Sequence, residues 1–171
     1  DGAVADGLAA CIGGPLGMEE ERDDVARPLT AAEEGEVDAA LAPTGKPLLA
    51  VVGDIPLTRR DMASLRPEQW LNDEVLNAYM ALLTKTEASK TRRVPRRCFF
   101  PSMFYTKLTA GPQGYCYSNV RRWTRRLDVF SMDSIFVPVH VNGNHWLLVL
   151  INLLNKCFEY AESYSHLYPL G

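Results

Sequence analysis

The hydrophobic pattern divides the chain into a helical part and, from about residue 134, a β-rich part. In the clearest helix, which follows Leu71, apolar residues recur at i, i+3, i+4 and i+7 and so lie on one face. These residues are Leu76, Tyr79, Met80 and Leu83. Asn72 stands where its side chain can cap the first turn. The pattern therefore predicts a helix that buries this stripe in the core.

Further elements are predicted on either side of this helix. Thr30 and Glu33 have the spacing of a capping box, which predicts a helix from Ala31 to Leu41. A strand is predicted through Cys98-Phe99-Phe100 and Met103-Phe104-Tyr105. A second amphipathic helix is predicted to point Val120, Trp123 and Leu127 inward, with four arginines outward: Arg121, Arg122, Arg125 and Arg126.

From Ser134 the apolar period changes to that of strands. Residues 135–141 and 145–151 are β-branched and apolar, and Asn142-Gly143 between them is a strong hairpin signal. A third strand is predicted from Lys156 to Glu162. Helices that precede an antiparallel meander indicate an α+β fold.

The net charge of -3 over 171 residues hides a strong segregation. Residues 1–46 contain 11 acidic and 3 basic side chains, whereas residues 85–126 contain 11 basic and 1 acidic. The acidic, Ala- and Gly-rich segment 1–27 is predicted to be a disordered tail, and residues 28–171 to form one domain. The basic middle is either solvated surface or a surface that meets an acidic macromolecule.

Apolar runs and cysteines restrict the class of protein. No apolar run approaches the roughly 18 residues of a membrane span, so no membrane association is expected. The four cysteines, at positions 11, 98, 116 and 157, fit neither a dense disulfide framework nor a CxxC metal pattern. A reducing compartment and no metal are therefore expected.

The strand pattern brings a histidine and an acid together. If the second hairpin is symmetric about the Leu153–Leu154 bond, His145 faces Glu162 directly, and the carboxylate can orient the imidazole as in a nucleophilic triad. An ordinary cross-strand polar pair is the alternative. In the same register Cys157 opposes Leu150 on the other face, which excludes it as the attacking thiol. His140 and His166 are interpreted as structural or solvated.

Six sequence blocks lie between about Pro56 and Ser163: PLTRRDMASL, QWLNDEVLNAYMALL, FFPSMFYTKL, NVRRWTRRLDVF, IFVPVHVNGNHWLLVLI and KCFEYAES. In order and spacing they resemble the Ulp/SENP family of cysteine proteases, which are specific for ubiquitin-like proteins and process SUMO. The resemblance implies the papain-like α+β fold of that family, here incomplete, with N-terminal helices plus an antiparallel sheet. It implies no cofactor.

The resemblance assigns roles to five residues. His145 matches the family's general base, and Glu162 stands where the family has an aspartate that orients the histidine. Trp70 and Trp146 match two tryptophans that flank a tunnel for the diglycine tail of SUMO, which glycine can enter because it has no Cβ. Asp73 matches an acid that contacts the body of SUMO. The alternatives are core packing for the tryptophans and compensation of the helix dipole for Asp73.

The family's nucleophilic cysteine, in an Asp-Cys-Gly block, and the glutamine of its oxyanion hole have no match up to Gly171. We therefore expect a SUMO-specific cysteine protease, for precursor processing and deconjugation, whose catalytic domain is truncated so that this chain is inactive. A non-catalytic SUMO-binding module is the alternative. A nucleic-acid-binding segment built on residues 85–126 is a third interpretation, which no recognised motif supports.

The expected partners are SUMO or a related ubiquitin-like protein and its conjugates, bound by a monomer without nucleic acid. The run KTRRVPRR resembles a basic nuclear-import signal, although a solvated loop has the same composition. The expected location is the nucleus, with the cytoplasm as a further compartment.

Overall fold

The computed structural model describes residues 27–89, 95–125, 127–143 and 145–162. Within these ranges the helices are α1 (Ala31–Leu41), α2 (Arg59–Met62), α3 (Asp73–Ser89), α4 (Met103–Thr109) and α5 (Arg121–Thr124). The strands are β1 (Leu48–Val52), β2 (Ile55–Thr58), β3 (Arg97–Phe99), β4 (Ser134–Val141), β5 (His145–Asn152) and β6 (Cys157–Glu162). Single 3-10 turns lie at Ala63–Leu65, Tyr117–Asn119 and Val129–Ser131.

Two further expectations concern membrane-spanning helices and the N-terminal tail. Among the described helices, none combines the length and the apolar character that crossing a membrane requires. The expected tail lies almost wholly outside the described ranges, so the division between residues 1–27 and 28–171 stays a prediction.

Helix α1 is held by its ends rather than by a buried face. The predicted capping box is present: the Thr30 hydroxyl accepts from the Glu33 backbone N–H at 3.3 Å, and the Glu33 carboxylate accepts from the Thr30 N–H at 2.8 Å. At the other end, the Arg59 guanidinium donates to the carbonyls of Ala39 at 2.6 Å and Ala42 at 3.1 Å. No residue of α1 is buried, so these polar contacts hold the helix in place.

Strands β1 and β2 form an antiparallel hairpin that the pattern analysis did not predict. Val52 pairs with Ile55, and the turn between them contains Gly53 at a φ of 64°. A Gly-Asp pair between two apolar runs is a hairpin signal, and it could have identified these strands.

Helix α3 packs against both β2 and β3. Its buried residues, Ala78 and Met80, are two positions apart and therefore point to opposite sides of a helix with about 3.6 residues per turn. The prediction that one apolar stripe of this helix is buried is wrong at Tyr79, which is 55% exposed. The predicted cap is confirmed, because Asn72 Oδ1 accepts from the Val75 N–H at 3.0 Å.

The remaining four strands form one sheet in the order β3-β4-β5-β6. The meander β4-β5-β6 is antiparallel as predicted, but β3 pairs in parallel with β4. The predicted α+β class is therefore confirmed, whereas the prediction of an entirely antiparallel sheet is wrong. The chain crosses over through α4 and α5 between β3 and β4, and such a crossover makes the pair parallel. One face carries the core cluster of Cys98, Phe100, Ile135, Val137 and Val139.

The strand predicted through Met103–Tyr105 is wrong, because these residues begin helix α4. Phe104 stacks on Phe100 with ring centroids 4.0 Å apart and meets Trp123 edge-on at 6.0 Å. Aromatic residues favour strands in isolation, but packing against neighbours decides the outcome at a given site.

The second amphipathic helix is shorter than predicted. Helix α5 is a single turn, although Val120 is buried and Trp123 packs against the core cluster as expected. The predicted outward arginines at 121, 122 and 125 are exposed, and Arg126 lies outside the described residues. A longer helix would place Arg121 and Arg125 as like charges at i and i+4, which is unfavourable.

Candidate active site

His145 begins strand β5, at the end of the hairpin that joins it to β4. Asn142 and Gly143 have φ angles of 52° and 76°, as an Asn-Gly turn requires, and Val141 pairs with His145. Because side chains alternate along a strand, His145 lies on the same face as Val141 and Leu147, which adjoin the core cluster. Its Nε2 atom is buried, whereas the residue as a whole is half-buried.

The register between β5 and β6 differs from the predicted one by two residues. Leu147 pairs with Glu162, so the predicted direct pairing of His145 with Glu162 is wrong. A shift by an even number keeps both positions on one face of the sheet. Position 162 is thus a diagonal neighbour of His145, at roughly 7–8 Å, a spacing that long side chains can bridge.

The turn before β6 explains the shift. The Asn152 Oδ1 atom accepts from the Asn155 N–H at 3.0 Å, and Lys156 has a φ of 56°, so the turn is centred later than expected. Cys157 consequently pairs with Asn152 rather than with Leu150. The expected pairing is wrong, but Cys157 still lies on the face opposite to His145.

Neither cysteine of the sheet can serve as the thiol for His145. Cys98 pairs with Ile135 and Cys157 with Asn152, both at the end of the sheet far from His145. At the rise of a β-strand, each position is roughly 20 Å from His145 along the strands. Burial also raises the pKa of the Cys98 thiol to about 11, which keeps it protonated.

The Trp146 indole lies on the opposite face from His145 and contacts the chain just before α3. Its Nε1 atom donates a hydrogen bond to the Leu71 carbonyl oxygen at 2.8 Å. The His140 ring on β4 lies 4.4 Å from the indole, with 36° between the ring planes. These two contacts fix Trp146 between β4 and the start of α3.

Trp70 directly precedes Leu71 and is 56% exposed, which excludes a fully packed core position. The hydrogen bond from Trp146 to Leu71 therefore brings the two predicted tunnel tryptophans into one region. Asp73, the third predicted substrate-binding residue, is exposed at the first position of α3 in the same region.

An open cavity of about 410 Å³ lies beside Trp70. The residues that line it are Arg60, Asp61, Ala63, Ser64, Gln69, Trp70, Asn72 and Glu74. A hydrogen bond with Asp73, partial burial and the negative charge of Asp73 together raise the pKa of Glu74. The cavity thus combines an exposed indole with polar and acidic groups, which suits a polar peptide segment.

Residues 69–170, more than half of the chain, match the model of the Ulp1 protease family, C-terminal catalytic domain. The chain belongs to the Ulp1 protease family. All five predicted site residues lie in the matched range, and their roles remain predictions.

The Ulp1-family relatives include both plant and human proteins. Ubiquitin-like-specific protease 1A of Arabidopsis thaliana is 38% identical over 144 residues, which is 81% of this chain and 28% of that protein. Sentrin-specific protease 2 of Homo sapiens is 37% identical over 146 residues, 84% of this chain and 23% of that protein. The chain therefore spans about a quarter of the length of these relatives.

A solved Ulp1 structure supports the fold. The C-terminal Ulp1 protease domain in complex with Smt3, the yeast orthologue of SUMO, matches with a TM-score of 0.68 and 32% identity. The match covers 84% of this chain and 61% of that one. The expected Ulp/SENP-type fold is thereby confirmed, for a chain that spans about three fifths of the solved Ulp1 domain.

Sequence reasoning missed three contributors to this Ulp1-family site: the Leu71 carbonyl, His140 and Asp61. His140 lies opposite Trp146 because three residues, 142–144, separate the paired residues Val141 and His145. Counting outward from a two-residue Asn142-Gly143 turn would place His140 opposite His145 instead. Asp61 accepts a hydrogen bond from the Asn72 amide at 2.9 Å, a contact that no periodicity in the sequence signals.

Proposed function

We propose that this chain provides the base and the substrate channel of a cysteine protease that cleaves SUMO-type proteins after their C-terminal diglycine. The observation that carries this proposal is the geometry at the start of β5. His145 and position 162 lie diagonally on one face, while Trp146 on the other face is bonded beside Trp70. The relatives are named as proteases specific for ubiquitin-like proteins or sentrin, and the solved Ulp1 domain is bound to Smt3.

The chemistry proposed for His145 is general base and then general acid catalysis. The imidazole accepts the proton of a cysteine thiol, and the thiolate attacks the carbonyl carbon of the terminal glycine. The imidazolium then gives its proton to the leaving amine, and a water that His145 deprotonates hydrolyses the thioester and regenerates the thiol. Glu162 orients the ring and stabilises its positive charge. Cys98 and Cys157 are roughly 20 Å away along the strands, so neither of them supplies that thiol.

Selectivity for diglycine follows from the two indoles. Trp146 is fixed by its contacts with Leu71 and His140, and Trp70 is exposed in the adjoining segment. A peptide that passes between two flat rings must have little side-chain volume, and glycine has no Cβ to clash with them.

Cleavage of a SUMO precursor tests the enzymatic proposal. Residues 1–171 alone are expected to leave the precursor intact, and the same chain extended by its downstream coding sequence is expected to cleave it. His145→Ala in the extended protein should abolish cleavage, whereas His140→Ala should retain part of it. Cleavage by residues 1–171 would contradict this expectation and show that one of its own four cysteines supplies the thiol.

Binding tests the channel separately from the chemistry. We expect mature SUMO to bind residues 1–171 at least tenfold more tightly than SUMO without its diglycine. Trp70→Ala should remove this difference, whereas Phe130→Ala, a substitution at a site that is 87% exposed, should preserve it. Equal affinity of the wild-type chain for both forms of SUMO would refute the channel.

The distance from His145 to Cys98 and Cys157 favours a second candidate, a module that binds SUMO without cleaving it. This alternative predicts tail-dependent binding by both the 171-residue chain and the extended protein, with cleavage by neither.

We propose a nuclear location, which the basic run at residues 90–97 supports. A fluorescent fusion should accumulate in the nucleus, and replacing Arg92 and Arg93 with alanine should distribute it evenly. An unchanged distribution would show that this run is ordinary solvated surface.

A further inference from the structure

The two carboxylate oxygens of Asp61 accept hydrogen bonds from two different parts of the fold. Its Oδ2 atom accepts from the Thr58 N–H at 2.9 Å and from the Thr58 hydroxyl at 2.6 Å, which caps helix α2. Its Oδ1 atom accepts from the Asn72 side-chain amide at 2.9 Å. One side chain thus joins the start of α2 to the segment before α3.

Both polar atoms of the Asn72 side-chain amide form hydrogen bonds. The nitrogen donates to Asp61, and the oxygen accepts from the Val75 N–H in the first turn of α3 at 3.0 Å. The backbone at Asn72 therefore has a defined position relative to both helices. Leu71, the residue before it, accepts the hydrogen bond from Trp146, and Trp70 comes one residue earlier.

The result is a continuous polar connection from Thr58 through Asp61 and Asn72 to the segment that receives Trp146. Asp61, Asn72 and Trp70 also line the same open cavity. We propose that Asp61 is a positioning residue for the diglycine channel, which it keeps narrow by fixing Asn72 and hence the separation of Trp70 and Trp146. This inference rests on the proposed function, since the channel is part of it.

The charge state of Asp61 suits this role. Burial on its own would raise the pKa of Asp61, but the hydrogen bonds from Thr58 and Asn72 outweigh it and lower that pKa below its ordinary value. The carboxylate is thus ionised at neutral pH, and hydrogen bonds to an ionised acceptor are stronger than those between neutral groups.

A loosened connection should affect selectivity more than it affects folding. If Asn72 loses Asp61, the Trp70 segment can move away from Trp146, and the channel then admits a residue that carries a Cβ. The quantity to measure is the ratio of affinities for SUMO ending in Gly-Gly and for SUMO whose penultimate glycine is alanine. A simple loss of folded protein lowers both affinities equally and leaves this ratio unchanged.

Asn72→Ser is the selective variant. A serine can still cap α3 through its hydroxyl, but it is too short to maintain the bond to Asp61. Asp61→Ala removes the same bond from the other side, and Asp54→Asn in the β1–β2 turn is the matched control. We expect at least tenfold discrimination in favour of Gly-Gly in the wild-type chain and the control. The discrimination should fall at least threefold in Asn72→Ser and in Asp61→Ala.

Hydrogen exchange at the Trp146 indole N–H, followed by NMR, gives a readout that does not need SUMO. Exchange should be at least threefold faster in Asn72→Ser than in the wild-type chain and unchanged in Asp54→Asn. Unaltered discrimination together with unaltered indole exchange would overturn the role of Asp61 and leave the proposed function intact. Absence of tail-dependent binding in the wild-type chain would instead overturn the proposed function.

Discussion

The indole N–H of Trp146 and the carbonyl oxygen of Leu71 form a hydrogen bond of 2.8 Å between residues 75 positions apart in the sequence. It joins the sheet to the segment before α3 at the candidate channel. Trp146→Phe removes the donor and keeps an aromatic ring. Because one hydrogen bond contributes about 0.5–1.5 kcal/mol, we expect the free energy of unfolding to fall by about that amount.

Chemical denaturation measures this change, with Tyr160→Phe as the control. Tyr160 is 63% exposed, so the loss of its hydroxyl should leave the free energy of unfolding unchanged. If the two variants have the same stability, the bond between Trp146 and Leu71 contributes nothing to the fold.

The same contact shows what could and could not be predicted from the sequence. The alternation along β5 and β6 predicted that His145 and Glu162 share a face, because parity survives any even shift of register. The register itself depends on the Asn152–Asn155 hydrogen bond, and no apolar pattern contains that information. The contact between Trp146 and Leu71 depends on how α3 docks against the sheet, which local propensity does not determine.

Aromatic packing sets a similar limit for α4. Aromatic runs favour strands and so predict a strand at Phe104, but Phe104 lies in α4, where it stacks on Phe100 and meets Trp123 edge-on. The N-cap residues of α1 and α3 could be predicted from the sequence, because a cap depends on residues only three positions apart.

The thiol of Cys98 should be unreactive in the native protein. Burial raises its pKa to about 11, and the protonated form is a poor nucleophile. At pH 8 we expect iodoacetamide to modify Cys98 at least tenfold more slowly than the less buried Cys116, as followed by peptide mass spectrometry. In denaturant the two rates should become equal. Equal rates in the folded chain would contradict the burial of Cys98.

The raised pKa of Cys98 also fixes the sign of its contribution to stability. A thiol that is harder to ionise when folded stabilises the protein below its unfolded pKa, which is 9.0, and this stabilisation is lost as the pH rises toward about 11. A Cys98→Ala variant should therefore be less sensitive to pH above 9 than the wild-type chain.

The Glu33 carboxyl should titrate far below its ordinary range. The hydrogen bond from Arg27, followed by those from the Thr30 backbone and hydroxyl, lowers the pKa of Glu33 from 4.5 to about 2. A lowered pKa stabilises the α1 cap above pH 4.5, and this effect is lost as the pH falls to about 2. NMR titration of the Glu33 carboxyl carbon measures the midpoint.

Substitution distinguishes the partners of Glu33 in that titration. Arg27→Gln should move the midpoint furthest toward the ordinary value, and Thr30→Ala should move it less. A wild-type midpoint of 4 or more for Glu33 would show that the cap does not persist in solution.

Two glycines should respond to alanine in opposite directions. A Cβ at Gly111 would lie 2.5 Å from the backbone oxygen of Tyr115, which cannot turn aside as a side chain can. Gly111→Ala should therefore lower the free energy of unfolding by about 1–3 kcal/mol. A Cβ at Gly35, within α1, would meet no neighbouring atom of the described residues within 4 Å. Gly35→Ala should raise the stability of that helix by about 0.5–1 kcal/mol, because alanine loses less backbone entropy than glycine.

Thermal unfolding and amide exchange measure the two glycine variants separately. Gly111→Ala should lower the melting temperature of the chain, since the loop at Gly111 also positions the Cys116 N–H, which donates to Leu108 at 2.7 Å. Gly35→Ala should slow amide exchange within α1 alone, because α1 buries no residue and contacts the remainder mainly through Arg59 and Arg66. An unchanged melting temperature in Gly111→Ala would show that the close contact at Tyr115 does not govern this loop. A lower melting temperature in Gly35→Ala would contradict the gain in stability expected for α1.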